Sequence, residues 1–351
     1  MKKYLLPNNK NAYKANLHCH TTISDGKMTP EEIKENYKSH GYSIVAYTDH
    51  EVIALHDDLR DEAFLPLPGY EMQTYGDMEL PKPLRRVSHI NFYPKDPANN
   101  KMPFFNLGDV MRLDVTPDIS KAVYEGDGNE YKEYSAEGLN RLIKKAKDAG
   151  FIASLNHPTW SKEDASVYTN LEGLFAMEIY NHGAQLSGHD CYCPYVYEEM
   201  LRGGQRIGCI ATDDTHYRED MFGGFTMVYA ESLSHGAVIH ALERGDFYAS
   251  RGPLIHALWY ENGAFHIECS PAASIVISNS SRRRAADSVR RADGEMLTSA
   301  EFPLSELDHF VRFTVTDAYG NTANTRAYFR EEFEKEAASA EFKLRKISAG
   351  I

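Results

Sequence analysis

Residues 16–50 read NLHCHTTISDGKMTPEEIKENYKSHGYSIVAYTDH, and the order of signals in this stretch sets the fold class. Thr29 can cap a helix, Pro30 suits its first turn, and Glu32, three residues after Thr29, closes a capping box. That helix should end near Gly41, and Ser43–Tyr47 follows as a short buried strand. Ser135 caps a second helix running to Gly150, with lysines near its end where the dipole favours them. Phe151–Leu155, Phe175–Tyr180, Arg206–Thr212 and Phe225–Ala230 read as further strands, and Ser234 to Gly245 as another helix. Strand, helix and strand at this rhythm predict a parallel sheet, open or closed into a barrel.

From about residue 252 the texture changes. Leu254–Tyr260, Ala264–Cys269, Ser274–Ser278, Phe310–Thr316 and Thr325–Phe329 are short alternating segments, and Asn262-Gly263 between the first two signals a hairpin. The expected organisation is an α/β domain over residues 1–250 and a small antiparallel β-domain over 251–351, ending in a charged, alanine-rich helix or tail from 331. Arg282-Arg283-Arg284 reads as a solvated turn.

The 351 residues include 38 basic and 51 acidic side chains, a net charge of −13. That balance argues against a broad nucleic-acid or anionic-membrane surface, while leaving room for an anionic substrate held locally. Tyr4-Leu5-Leu6 is halted by Pro7, too short for a signal peptide, and no segment approaches a membrane span. A cytoplasmic location is expected, with Cys19, Cys191, Cys193, Cys209 and Cys269 as reduced thiols. Phosphate-binding glycine loops, Gly-x-Ser-x-Gly and His-Glu-x-x-His are all missing. The sequence leaves oligomeric state open.

The chemistry lies where strands end. His18 and His20 are two apart after an apolar residue, so on a strand both rings face one way and can share a metal ion. Asp25 follows on the turn Ser24-Asp25-Gly26. The next strand ends in Thr48-Asp49-His50, and later segments bring Gly69-Tyr70-Glu71, Ser88-His89, Asn156-His157 and Asp213-Asp214-Thr215-His216. In an α/β barrel such ends converge on the face that carries the active site. Imidazole and carboxylate oxygen suit zinc, manganese or iron, and the lack of thiolate argues against a closed structural zinc site.

This set, spanning roughly residues 14–250, resembles the PHP family, named for polymerase and histidinol phosphatase. The segment Ala249-Ser250-Arg251-Gly252-Pro253 and the strands after it resemble the branch with an appended β-domain. The resemblance implies a distorted (β/α)7 TIM-like barrel with two to three divalent ions at its strand ends. It implies that His18, His20, Glu71 and Asp214 hold one ion, that Glu71 bridges to a second completed by His89 and His157, and that Asp25, His50 and His216 hold a third. Glu71 and Asp214 are thereby central to catalysis. The expected activity is that of a metal-dependent phosphoesterase acting on a small anionic phosphorylated substrate, with metal-activated water as nucleophile. The same cluster could serve a carboxyl-ester, carbamate or amide hydrolase, and the non-enzymatic alternative is a metal-stabilised binding module.

Asp49 and Asp213, beside proposed ligands, are expected to orient imidazoles, and Cys19 to be buried facing away from them. His182, after Tyr180-Asn181, is a candidate to contact substrate or to donate a proton to the leaving group. Arg218 and Arg251 are candidates for an anionic substrate group. His40, His56, His189, His235, His240, His256, His266 and His309 read as surface or internally satisfied histidines.

Overall fold

The computed structural model describes residues 2–110, 117–281, 286–290, 294–305 and 309–334. Arg282-Arg283-Arg284 and the tail beyond 334 lie outside the described residues. The fold is mixed α/β and rich in strands, with few helices. Among the described residues, no helix is long and apolar enough to cross a membrane.

The opening stretch folds as its signals dictate. Helix α1 (Pro30–Ser39) starts on a capping box in which the Glu32 amide donates to Thr29 Oγ1 and the Thr29 amide to Glu32 Oε2. Its buried residues, Ile33 and Tyr37, pack in one cluster with Cys19 and Tyr47. The strands that follow one another here are β1 (Asn11–Asn16), β2 (Ile44–Tyr47) and β3 (Leu65–Pro68), each parallel to the next. A second sheet contains β4 (Tyr70–Tyr75), β5 (Val87–Pro94), β6 (Phe151–Leu155), β7 (Ala176–Asn181) and β8 (Gly208–Thr212). Its spatial order is β8-β7-β6-β5-β4. Helix α2 (Ala136–Asp148), capped by Ser135, buries Leu139, Leu142, Ile143 and Ala146 in the core that contains Phe151 and Leu155.

Two features depart from an all-parallel closed barrel. Strand β5 runs antiparallel to both β4 and β6. The link from β4 to β5 contains a single 3-10 turn, Lys82–Leu84, and parallel strands need a longer crossover. No closed ladder forms among the described residues; instead the two sheets meet at strand ends through isolated parallel bridges, His50 with Glu71 and Cys19 with Thr215.

Strands β9 (Phe225–Ala230) and β10 (Phe247–Ser250) flank helix α3 (His235–Arg244) and extend the first sheet antiparallel from β1. Beyond Gly252 every pairing among the described residues is antiparallel. Strands β11 (Ile255–Glu261) and β12 (Ala264–Ala272) form the expected hairpin, with Asn262 at φ +53° and Gly263 at φ +81°. The stretch expected as one strand over Thr325–Phe329 is interrupted, giving β15 (Thr322–Thr325) and a separate pair, Tyr328–Phe329. The other strands here include β13 (Ser274–Asn279) and β14 (Phe310–Thr316), and β15 pairs with β14 on one side and β10 on the other. The sheet is therefore continuous across residue 252. At the opposite end of the sequence, Lys3–Tyr4 pairs with β11, and Leu5 and Leu6 lie in the core formed by Ile255, Phe265, Ile275 and Phe313.

Candidate metal centre

Just past β1, His18 and His20 are fully buried and project to one side, while Cys19 turns the other way into the α1 core. Their Nε2 atoms lie 3.0 Å apart. Asp25 reaches them from a tight turn: a β-carbon added at Gly26 would lie 2.4 Å from the His20 carbonyl oxygen, so the turn requires glycine. The end of β8 is stitched onto this segment, with the His20 amide donating to the Thr215 carbonyl and the Asp214 amide to the His18 carbonyl. Glu71 on β4 and His89 on β5 face each other across the antiparallel ladder, where His89 is paired with Gln73.

Glu71 lies at the centre of the arrangement. Its two carboxylate oxygens meet five imidazoles: His50 and His89 at 3.0 Å, His18 at 3.2 Å, and His20 and His157 at 3.4 Å. Asp214 Oδ1 lies 3.1 Å from His20 Nε2 and 3.2 Å from His18 Nε2. Asp25 approaches His216 at 3.3 Å, His20 at 3.6 Å and His50 at 3.7 Å. All nine residues expected to act as ligands are thus brought together. They form overlapping groups, among them His20, Asp25, His50 and His216, whose ligand atoms lie within 4.8 Å of one another.

Electrostatics are those of a nest short of positive charge. Burial opposes the charged form of His18, yet Asp214, Glu71 and Glu178 outweigh it and raise its pKa well above the imidazole range. His216 is raised to about 10 by Asp25 and Asp214, again against burial. Asp25 is held below the carboxylate range by His50, His216 and His20, and Glu71 by His89, His18 and His50, in both cases despite desolvation. His50 is pushed down to about 3, by burial first and then by His20, so it stays neutral and keeps a lone pair to donate. The field that draws protons onto His18 and His216 would equally draw a metal cation. His20 Nδ1, His50 Nδ1 and Asp214 Oδ1 are buried without hydrogen-bond partners, as expected where an ion completes the set.

Asp49 and Asp213 do not orient imidazoles. Asp49 accepts from the Thr21 and Ser24 amides and hydroxyls, and Asp213 from the amides of Phe222, Gly223 and Gly224 and the Tyr37 hydroxyl. Each sits at a strand end among orphan backbone donors, which claim its oxygens. The orienting carboxylate is Glu178, fully buried on β7. It accepts from His18 Nδ1 at 2.8 Å and Thr212 Oγ1 at 2.7 Å, and from the His157 amide and Asn181 Nδ2, both at 2.8 Å. Its signal was a lone carboxylate in an apolar strand, which must find donors to be buried. Asn156 Nδ2 donates to Glu71 Oε1 at 2.6 Å, and Ser161 Oγ lies 3.1 Å from His157 Nδ1.

Asp25, His50 and His89 reach the floor of a cavity of about 430 Å³, walled by Tyr75, Gln73, Trp160 and His189 and rimmed by Lys82, Arg85 and Lys162. None of the three expected substrate residues lines it. The His182 ring packs against Gly223, with Nδ1 2.7 Å from the Tyr180 hydroxyl. Arg251 stacks over Tyr180 and Tyr192, and Arg218 hydrogen-bonds Asn36 near the surface. These side chains leave their strand ends in directions that spacing alone does not reveal. His189, read as an ordinary histidine, lies instead in the cavity wall.

No protein-family model and no curated protein matches the sequence. Among solved structures, the chain is similar to a two-domain protein from Bacteroides vulgatus containing a predicted PHP-like metal-dependent phosphoesterase. That match has 14% identity and a TM-score of 0.45, covering 93% of this chain and 97% of the other. An amidohydrolase from Chromobacterium violaceum matches at 19% identity and a TM-score of 0.37, covering 59% of this chain and 89% of its own. At these scores the likenesses carry no weight for function.

Proposed function

We propose that the chain is a metal-dependent hydrolase of the PHP type, and that its substrate is a small phosphoester. The observation that carries this reading is Glu71, a buried carboxylate faced by five imidazoles next to an open cavity. The two sheets joined by the His50–Glu71 and Cys19–Thr215 bridges are read as the frame of a distorted barrel. His18, His20, Glu71 and Asp214 would hold one ion, Glu71, His89 and His157 a second, and Asp25, His50 and His216 a third. Bound divalent ions would supply Lewis acidity and a water that loses its proton near neutral pH. Glu178 fixes His18 with Nδ1 as donor, leaving Nε2 free to ligate. Trp160, packed 4.9 Å from His157 and 5.4 Å from His89 between ring centroids, walls off one side from solvent.

Phosphate is favoured over carboxyl esters by charge. In a chain of net charge −13, the cavity rim carries Lys82, Arg85 and Lys162. Arg85 already donates to the Leu80 and Met78 carbonyls, and the positive charge the three bring to the cavity suits a phosphoester anion better than a neutral carbamate or amide. Chromogenic phosphomonoesters, phosphodiesters and carboxylesters, each tested with added manganese or zinc, separate the readings. Turnover confined to carboxylesters would remove the phosphate assignment, and no turnover with bound metal would favour a binding module.

A further inference from the structure

A second buried charged group lies next to His50 in the chain. Lys132 comes from the segment between the short helix Leu107–Val110 and α2, yet its side chain is 1% exposed. Its ammonium lies 2.6 and 2.7 Å from the two oxygens of Glu51, whose side chain is also 1% exposed, and 3.3 Å from Asp109. Glu51 directly follows His50 and sits at φ +55°, a left-handed conformation that a β-carbon disfavours. It is held there at three points. Its amide donates to the Glu71 carbonyl at 2.9 Å, its carboxylate accepts from the Gln73 amide at 2.9 Å, and the ammonium clamps both oxygens.

We infer that Lys132 is a positioning residue for the His50–Glu71 end of the metal cluster, acting through Glu51; this rests on the metal-centre reading above. Glu51 staples the end of β2 onto β4, where His50 and Glu71 pair as an isolated bridge with His50 Nδ1 3.0 Å from Glu71 Oε2. Remove the ammonium, and Glu51 becomes a buried charge without its cation. The carboxylate must turn toward water or take a proton. Turning toward water releases the Gln73 amide and the support for the left-handed turn. His50, proposed for the third ion, and Glu71, shared by the other two, then lose their alignment with each other. The turns carrying His18 and Asp214 are tied to each other instead, so the effect should be confined to one end.

The test uses chelator-stripped full-length protein titrated with manganese and, separately, zinc, with the unfolding temperature of the metal-free form recorded in parallel. Lys132→Met should weaken binding of one or two ions by 10–100-fold, while the ion on His18, His20 and Asp214, whose segments are tied to each other, is affected least. The double variant Lys132→Met with Glu51→Gln removes the Glu51 charge, leaving that of Asp109, and keeps an oxygen for the Gln73 amide. It should recover metal-free stability and most of the lost affinity. A purely structural strap would lower the unfolding temperature of Lys132→Met and leave every ion's affinity unchanged, which overturns the inference. So would a folded double variant that binds metal no better than Lys132→Met. If wild type itself binds no ion, the metal-centre reading fails first.

Discussion

The turns after β2 and β8 begin alike: Thr48-Asp49-His50 in one, and Thr212-Asp213-Asp214-Thr215-His216 in the other. In both, the first aspartate collects donors from a neighbouring loop, and in both a non-glycine residue takes a left-handed backbone. The difference is in which residue does so. After β8 it is Asp214 itself, at φ +51°, with Oδ2 accepting from Asn181 Nδ2 at 3.1 Å. After β2 it is Glu51, one residue past His50, held by a lysine 81 positions away. The same opening device, a carboxylate satisfying loop amides, can therefore shape a turn without touching a ligand. The proposed ligands meet separate partners, Glu178 and Asn181 on one side and, by the inference above, Glu51 on the other.

The largest expected effect comes from the group shared by both sides. Glu71→Ala should abolish turnover and lower bound metal by more than one ion in elemental analysis; full metal with near-normal rate would break the picture of a bridging carboxylate. Next, Glu178→Gln should weaken metal binding by about 10–100-fold, because it keeps the shape but loses the charge that orients His18. A titration indistinguishable from wild type would leave Glu178 as simple packing. The two first aspartates should differ from both of these. Asp213→Asn and Asp49→Asn are expected to cost about 1–3 kcal/mol of folding stability through loop donors left facing an amide. Metal content should stay nearly intact, and denaturant unfolding with elemental analysis reads both quantities. Loss of an ion from either would restore a direct role at the cluster.

The smallest effect is a pH dependence at Glu163, beside the cluster but outside both turns. Burial pushes this carboxyl up to about 8, the Ser88 hydroxyl offsetting it only in part. An exposed glutamate titrates near about 4.3. The folded protein thus keeps a proton that the unfolded chain has released, so the stabilising contribution is complete below the lower value and lost as pH rises through the upper one. Glu163→Gln, unable to ionise, should match wild type near pH 5 and unfold at a higher temperature than wild type near pH 9. Parallel curves across that range would place the carboxyl in contact with a cation.

Much of the frame was legible because it rests on local chemistry. The Thr29–Glu32 box, the Asn262-Gly263 hairpin and the His-x-His alternation each act within a few residues. Most of the nine side chains converge from strand ends as the pattern implies, but Glu71 and His89 join from near the starts of β4 and β5, the latter running antiparallel to its neighbours. What escaped depends on distance or direction. The β4–β5 reversal needed the knowledge that no helix forms between them. Glu178 and Lys132 find partners far along the chain. His182, Arg218 and Arg251 follow strand ends as the cavity residues do, but their rings and guanidinium groups turn aside, while Lys82, Arg85 and Lys162 arrive on loops.

The pairing of β15 with β10, and of Lys3–Tyr4 with β11, has a practical meaning for anyone handling the chain in pieces. A fragment stopping at Ser250 would bare the unpaired edge of β10, an open template for other chains, and would take from Leu5 and Leu6 the apolar neighbours that cover them. The last strands thus shield the first part of the molecule, and a shortened version made to isolate the candidate metal centre would expose both that edge and that apolar surface.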